Sequence, residues 1–160
     1  MGRQKNRGKQ TRRASQAAAA CKRGGVVTYI NSPTEITPDQ LHGFFVGWPD
    51  PPSREAHLRL LKNSEYVVLA MDDAANNVVG FVTAIADGVL AAYIPLLEVL
   101  PAYHGQGIGS ELMRRMLNLL RDYYVVDLVC DRDLQPFYAR LGMKPYSAMI
   151  LRNTNRQSGG

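Results

Sequence analysis

Leu97-Glu98-Val99-Leu100-Pro101-Ala102-Tyr103-His104-Gly105-Gln106-Gly107-Ile108-Gly109-Ser110 is the stretch whose reading decides the fold. It leaves an apolar, strand-like run, turns at Pro101, passes three alternate glycines and enters a helical pattern. Leu112, Met113, Met116, Leu117, Leu119 and Leu120 form the apolar set of that pattern. Glu111, Arg114, Arg115, Asn118 and Asp122 recur at helical spacing as its polar face, so the helix is expected over 108–122. Glycines at 105, 107 and 109 let an anion approach the backbone, and the free N–H groups of a helix start bind phosphate. A Walker loop needs a lysine that is absent here. A dinucleotide fingerprint needs a third glycine, or alanine, where Ser110 stands, and should open on a first strand rather than follow a meander.

Working upstream, Val89 to Leu100 is interrupted by Pro95, which cannot donate to a ladder and therefore implies an edge or a bulge. Asp87-Gly88 separates that run from Val78 to Ala86 and reads as a type I′ hairpin turn. Tyr66 to Met71 is the preceding strand, and Val26 to Ile30 the first one. Between them, Thr37-Pro38-Asp39 predicts a short helix over 39–45, residues 47–52 a loop, and Ser53 the cap of a second helix. Downstream, Tyr124 to Cys130 reads as a buried strand. Leu134 to Leu141 reads as a helix ended by Gly142, and Met143 to Leu151 as a closing strand. The order predicts a mixed α/β domain.

Two segments carry a resemblance. His104-Gly105-Gln106-Gly107-Ile108-Gly109 resembles the acetyl-CoA loop of the GNAT acyltransferases, Gln/Arg-x-x-Gly-x-Gly/Ala, at Gly107 and Gly109, with His104 in place of Gln or Arg. Val99-Leu100-Pro101 is similar to the Val-x-Pro that precedes it. Residues Phe137-Tyr138 to Gly142-Met143 resemble the family's Phe-Tyr-x-x-x-Gly-Phe, with Met143 for the last aromatic. Asp131 stands where the family often has Asn. The resemblance covers about residues 26–152. It implies a mostly antiparallel central sheet flanked by helices and splayed at an acetyl-CoA cleft.

It also implies acetyl transfer from acetyl-CoA to a primary amine by direct attack in a ternary complex. Backbone groups of Leu97 and Val99 would meet the pantetheine and thioester. His104, Gly105, Gln106, Gly107, Ile108, Gly109 and Ser110, with Asp131, would form the cofactor site. Tyr138 matches the acid that protonates the leaving thiolate, although core packing beside Phe137 and Leu141 would also explain it. Glu98, the one acid in the central strand, is costly there unless solvated or paired. It is either the base or a strand-face acid paired with Arg59 or Arg140. Trp48, Asp50 and Tyr93 are candidates for the acceptor side, with Asp50 attracting a cationic amine and Trp48 stacking on it. Cys130 reads as a core residue rather than a nucleophile. Two other readings stand beside the enzyme: a non-catalytic acyl-CoA-binding module, and an RNA- or ribosome-associated protein acting through its tail.

Composition sets outer limits. The chain has 160 residues, 46% hydrophobic and 21% charged, which fits one globular domain. Two cysteines rule out a disulfide framework. His42, His57 and His104 share no ligand spacing, so no metal is expected. No apolar run approaches the roughly 20 residues of a membrane span. Net charge is +5, yet residues 1–25 hold 8 of the 19 basic residues and no acid, leaving the body slightly acidic. That segment is expected to be a disordered basic tail. It could be a solvated extension, an organellar transit peptide or a nucleic-acid contact. Myristoylation is disfavoured by Asn6. Residues 153–160 read as a polar C-terminal tail. The expected setting is cytoplasmic, or organellar if the tail is a transit peptide, with a monomer or homodimer as the assembly.

Overall fold

The computed structural model describes residues 25–159. The basic segment 1–24, on which the expectations for the tail rest, lies outside the described residues. Five strands form one sheet in sequential order: β1 (Val27–Ile30), β2 (Tyr66–Asp72), β3 (Asn77–Ala86), β4 (Ala91–Val99) and β5 (Val125–Asp127). The first four run antiparallel, and β5 joins β4 in parallel. Helix α1 (Arg54–Asn63) covers one face, and α2 (Ile108–Leu119) the other. Both faces are therefore dry, and β2 reads as a continuous apolar run rather than an alternating one.

Alternation along β2 still sorts its side chains. Val68 and Ala70 join Val79, Val82, Ala84, Ala92 and Ile94 under Ile108, Leu112, Met113, Met116 and Leu120. Val67, Leu69 and Met71 join Phe81 and Leu61 on the α1 side. Each fully buried Leu or Met contributes roughly 1.5–3 kcal/mol. Gly80 lets α2 lie close to β3, since a Cβ there would come within 3.0 Å of Leu112 and 3.2 Å of the Glu98 carbonyl oxygen.

The expected bulge is present. Thr83 pairs with Leu96 and Ile85 with Tyr93, so Ile94 and Pro95 together face one residue of β3. As a result Tyr93, Leu96 and Glu98 share the α1 face, while Ile94 packs in the α2 core. Beyond Tyr93, β4 has no strand partner on its β5 side among the described residues, because β5 ends opposite it at Asp127. This is the splay.

Four local expectations are corrected. Residues 39–45 form no α-helix: a 3-10 turn at Pro38–Gln40 is followed by Gly43 and Phe45 at positive φ. Asp87-Gly88 is no two-residue turn. Residues 87–90 form a longer loop in which Asp87 Oδ1 accepts the amides of Val89, Leu90 and Ala91, and only Gly88 has positive φ. The carboxylate supplies the turn that the backbone would otherwise make. Strand β5 is three residues long and half-buried, not a buried run. Residues 143–151 form no strand, and Tyr146, Met149 and Leu151 are almost fully exposed. Residues 154–159 turn back to the body: Gln157 Oε1 accepts the Asp50 amide and Arg59 donates to the Gly159 carbonyl.

Candidate active site

The glycine loop forms at the open edge of β4. Leu100 donates its amide to Val79 O, which fixes the phase of the antiparallel ladder. Glu98 and Leu96 then exchange backbone bonds with β3, and the amide and carbonyl groups of Leu97 and Val99 point to the splayed side. A 3-10 turn, Pro101–Tyr103, carries the chain over the strand end. Tyr103 Oη donates to Asp72 Oδ2 at 2.6 Å, tying that turn to the end of β2. Asp72 also accepts the amides of Ala74 and Ala75. The Tyr103 bond, with these amides, holds its carboxyl below the ordinary range.

Gly107 caps α2 with φ 80°, and Gly105 sits at φ 75°. These left-handed values are strained for any residue with a Cβ. The first intrahelical bond runs from Glu111 N to Gly107 O, so the amides of Ile108, Gly109 and Ser110 remain for a ligand. They open into a cleft of about 510 Å³ lined by Leu97, Val99, Tyr103, His104, Gly105, Gly107, Ile108, Gly109, Ser110, Leu134, Phe137, Tyr138 and Arg140.

Eight of the ten expected cofactor residues meet there. Gln106 does not: its side-chain amide turns back to the Ala102 carbonyl. Asp131 does not either: it precedes the 3-10 turn Arg132–Leu134, and its carbonyl accepts the Leu134 amide. His104 is at the rim, but its Nε2 donates to Val99 O at 2.7 Å, because a carbonyl can only accept. Arg140 is therefore the one permanently charged side chain of the lining. The sequence offered it only as a partner for Glu98. Its place on the third helix, α3 (Gln135–Ala139), at the C-cap two residues after Tyr138, is the signal that could have assigned it to the cleft.

Tyr138 lies in the cleft, half-buried against Phe137 with ring centroids 4.9 Å apart. Burial first, then the neighbouring Cys130, pushes its phenol pKa up. Burial and Asp131 and Asp133 push the Cys130 thiol up as well, so it stays protonated and is a poor nucleophile.

Glu98 faces the other side of β4. Its Oε2 accepts the Phe45 amide at 2.9 Å and its Oε1 the Val46 amide at 3.3 Å. It forms no ion pair with Arg59 or Arg140. Next to it, Phe45, Trp48, Pro52, Ala56, Arg59, Leu60, Asn63, Leu96, Gln157 and Gly159 line a second cavity of about 260 Å³. Trp48, one of the three acceptor-side candidates, lines this cavity. Asp50 touches this wall only through its amide bond to Gln157, and Tyr93 lies earlier on the same face of β4 without lining it. Among the described residues, no group of three His, Cys, Asp or Glu is placed to hold a metal, and no helix is long and apolar enough to cross a membrane.

Comparison with known proteins agrees with this fold. The family model for the acetyltransferase (GNAT) family matches residues 34–143. The chain belongs to the GNAT acetyltransferase family. A crystal structure from Deinococcus radiodurans R1, described as a presumed acetyltransferase, is 48% identical, with a TM-score of 0.80 over 82% of this chain and 92% of that one. The N-acetyltransferase ycf52 of Pyropia yezoensis, named as uncharacterised, is 29% identical over 61% of this chain and 58% of its own length. The chain thus spans little more than half of that curated relative. A chloroplastic GCN5-related N-acetyltransferase of Arabidopsis thaliana is 39% identical over 40% of this chain and 28% of its own. The five-stranded, mostly antiparallel sheet with its splay is the GNAT architecture expected from the sequence.

Proposed function

We propose that this GNAT protein transfers an acetyl group from acetyl-CoA to a primary amine, by direct attack within a ternary complex. The observation that carries the reading is the continuous cleft from the amides of 108–110, past the open edge of β4, to the Tyr138 hydroxyl. Acetyl-CoA fits it in parts. The pyrophosphate meets the helix amides and the positive helix end, and Arg140 adds the charge that His104, turned to Val99 O, does not direct there. The pantetheine would run along Leu97 and Val99 at the open edge of β4, where the Val99 carbonyl already accepts from His104. When bound, the thioester supplies the activated acetyl group.

The protein's own part is positioning and proton transfer. A β4 amide at the splay would polarise the thioester carbonyl and stabilise the oxyanion formed on it when the amine attacks. Tyr138, protonated throughout the neutral range because its pKa is raised, holds the proton required by the departing thiolate. Glu98 shapes the acceptor side through residues 45–46. Its carboxylate accepts two amides and keeps lone pairs that could take the amine proton, directly or through water. The amine approaches from the cavity at Leu96 and Trp48, on the face opposite the cofactor lining.

The reading is tested by thiol release from acetyl-CoA across amines, with acetyl-CoA-induced thermal stabilisation as the binding control. Absence of both stabilisation and thiol release overturns it. Stabilisation without turnover on any amine would favour a non-catalytic acyl-CoA-binding module. The chloroplastic name of one relative supports an organellar reading of the basic segment 1–24, which fusion of that segment to a fluorescent reporter would test.

A further inference from the structure

The acceptor-side cavity has an asymmetric wall. One stripe of α1 faces it: Ala56, Arg59, Leu60 and Asn63, at i, i+3, i+4 and i+7. Across from the stripe stand Phe45, Trp48 and Leu96, and the surface between them is apolar. Arg59 is the one charged side chain of the lining, and no acid lines it at all. A polycationic acceptor would find one carboxylate beside the cavity, Glu98, and that one already accepts two amides.

Arg59 is also not committed to an acid of its own chain. Glu55, four residues earlier on the same helix and the natural i,i+4 partner, is held at the helix start by its own backbone amide and the Ser53 hydroxyl. Among the described residues, no carboxylate lies within ion-pair distance of the Arg59 guanidinium, whereas Arg54, Arg114, Arg115 and Arg121 all have one. Its Nη2 instead donates to the Gly159 carbonyl at 3.0 Å. The guanidinium is thus turned to an oxygen acceptor at the cavity wall, and that acceptor is a single neutral carbonyl. A carboxylate offers two oxygens and a charge to the same planar fork, which binds it more strongly than a peptide carbonyl.

We propose that the acceptor is an amine carrying a carboxylate on an apolar body, with Arg59 binding the carboxylate in place of the Gly159 carbonyl and Trp48, Leu60 and Leu96 holding the body. This deepens the acetyl-transfer reading and rests on it. A cavity of about 260 Å³ encloses roughly nine groups of water size, at about 30 Å³ each. That is the scale of a substituted benzylamine or of one amino-acid residue.

The test uses the full chain, acetyl-CoA and three amines: 4-(aminomethyl)benzoate, the size-matched 4-(aminomethyl)benzamide, and benzylamine, which lacks the para group. Wild type is expected to use the benzoate at least 10-fold better in kcat/KM than the benzamide, within the 10–100-fold weight of a hydrogen-bonded charge. In Arg59→Gln that ratio falls to about one, and Arg59→Lys, which keeps charge without the fork, recovers part of it. A benzoate-to-benzamide ratio of one or less in wild type overturns the proposal, as does a ratio unchanged in Arg59→Gln. If acetyl-CoA stabilises the fold but none of the three amines releases thiol, the acceptor assignment fails while the cofactor cleft stands. If acetyl-CoA does not stabilise the fold, the failure lies with the acetyl-transfer reading itself.

Discussion

The Glu98 carboxylate grips the chain 53 residues upstream, accepting the Phe45 amide at 2.9 Å and the adjacent Val46 amide at 3.3 Å. Phe45 is held at φ 60°, rare for a residue with a bulky side chain, while its ring is buried beside Phe81 and His57. Two successive amides closing on one anion form a nest, and the anion offsets the strain of making it. Glu98→Gln leaves one acceptor oxygen and points an NH2 group at an N–H. The expected outcome is a loss of about 1–3 kcal/mol, read from urea unfolding, and a raised KM for the amine, with the acetyl-CoA dissociation constant nearly unchanged. If the carboxylate also takes the amine proton, the acidic limb of the pH–rate profile disappears as well. A profile of unchanged shape assigns Glu98 to loop positioning alone.

Tyr138→Phe removes one hydroxyl and keeps the ring packed on Phe137. Turnover should fall about 10²–10⁴-fold, the weight of acid catalysis, with acetyl-CoA affinity and thermal stability close to wild type. Near-normal single-turnover rates in this variant would remove Tyr138 from the proton-transfer step.

Gly107 sits at φ 80° with nothing within 4 Å of where a Cβ would project. Gly107→Ala should therefore cost only the backbone term, about 1–2 kcal/mol. Gly107→Glu should pay a similar folding cost and also lose acetyl-CoA stabilisation, because a carboxylate would enter the phosphate site. The two variants separate strain from repulsion, and an intact melting shift in Gly107→Glu would place the phosphates elsewhere.

His57 is buried among Phe44, Phe45 and Phe81, and its Nε2 has no hydrogen-bond partner. Desolvation pushes its pKa from the ordinary 6.5 down to about 4. Below pH 6.5 the unfolded chain binds the proton and the folded one resists it. Stability is therefore full above 6.5 and falls by about 3 kcal/mol by pH 4. Asp72 and Asp87, held below the usual carboxylate range, add their own loss only further down. Urea midpoints between pH 7 and pH 4 should show this slope in wild type and a flatter one in His57→Leu. Equal slopes would contradict the burial argument.

What the sequence made legible follows from the range of the forces involved. Ser53 caps α1 by accepting the Ala56 amide, three residues away. Pro95 announces its bulge because the missing donor is its own. The glycine loop carries its conformation in its composition. The stretch after Pro38 was misread because its shape depends on a carboxylate in β4, and no local pattern contains that partner. Arg59, Gln157 and Gly159 meet across about 100 residues of chain, so their part in the cavity beside Trp48 appears in no local pattern. Gly88 promised a tight hairpin, but the Asp87 side chain competes with the backbone for the same amides and wins. Residues 143–151 have the apolar, β-prone composition of a strand, yet a strand exists only where an edge pairs with it, and composition does not specify an edge.

The bulge at Ile94 and Pro95 changes the parity of β4. Ahead of it, odd-numbered Tyr93 faces α1; behind it, even-numbered Leu96 and Glu98 do. A single deletion at the bulge would restore one-to-one pairing with β3 and leave Tyr93, Leu96 and Glu98 on the α1 face. What it would remove is the extra local twist that the unpaired residue gives β4 next to the point where β5 stops pairing with it. The parting of β4 from β5 beyond Tyr93 thus coincides with one supernumerary residue in the strand.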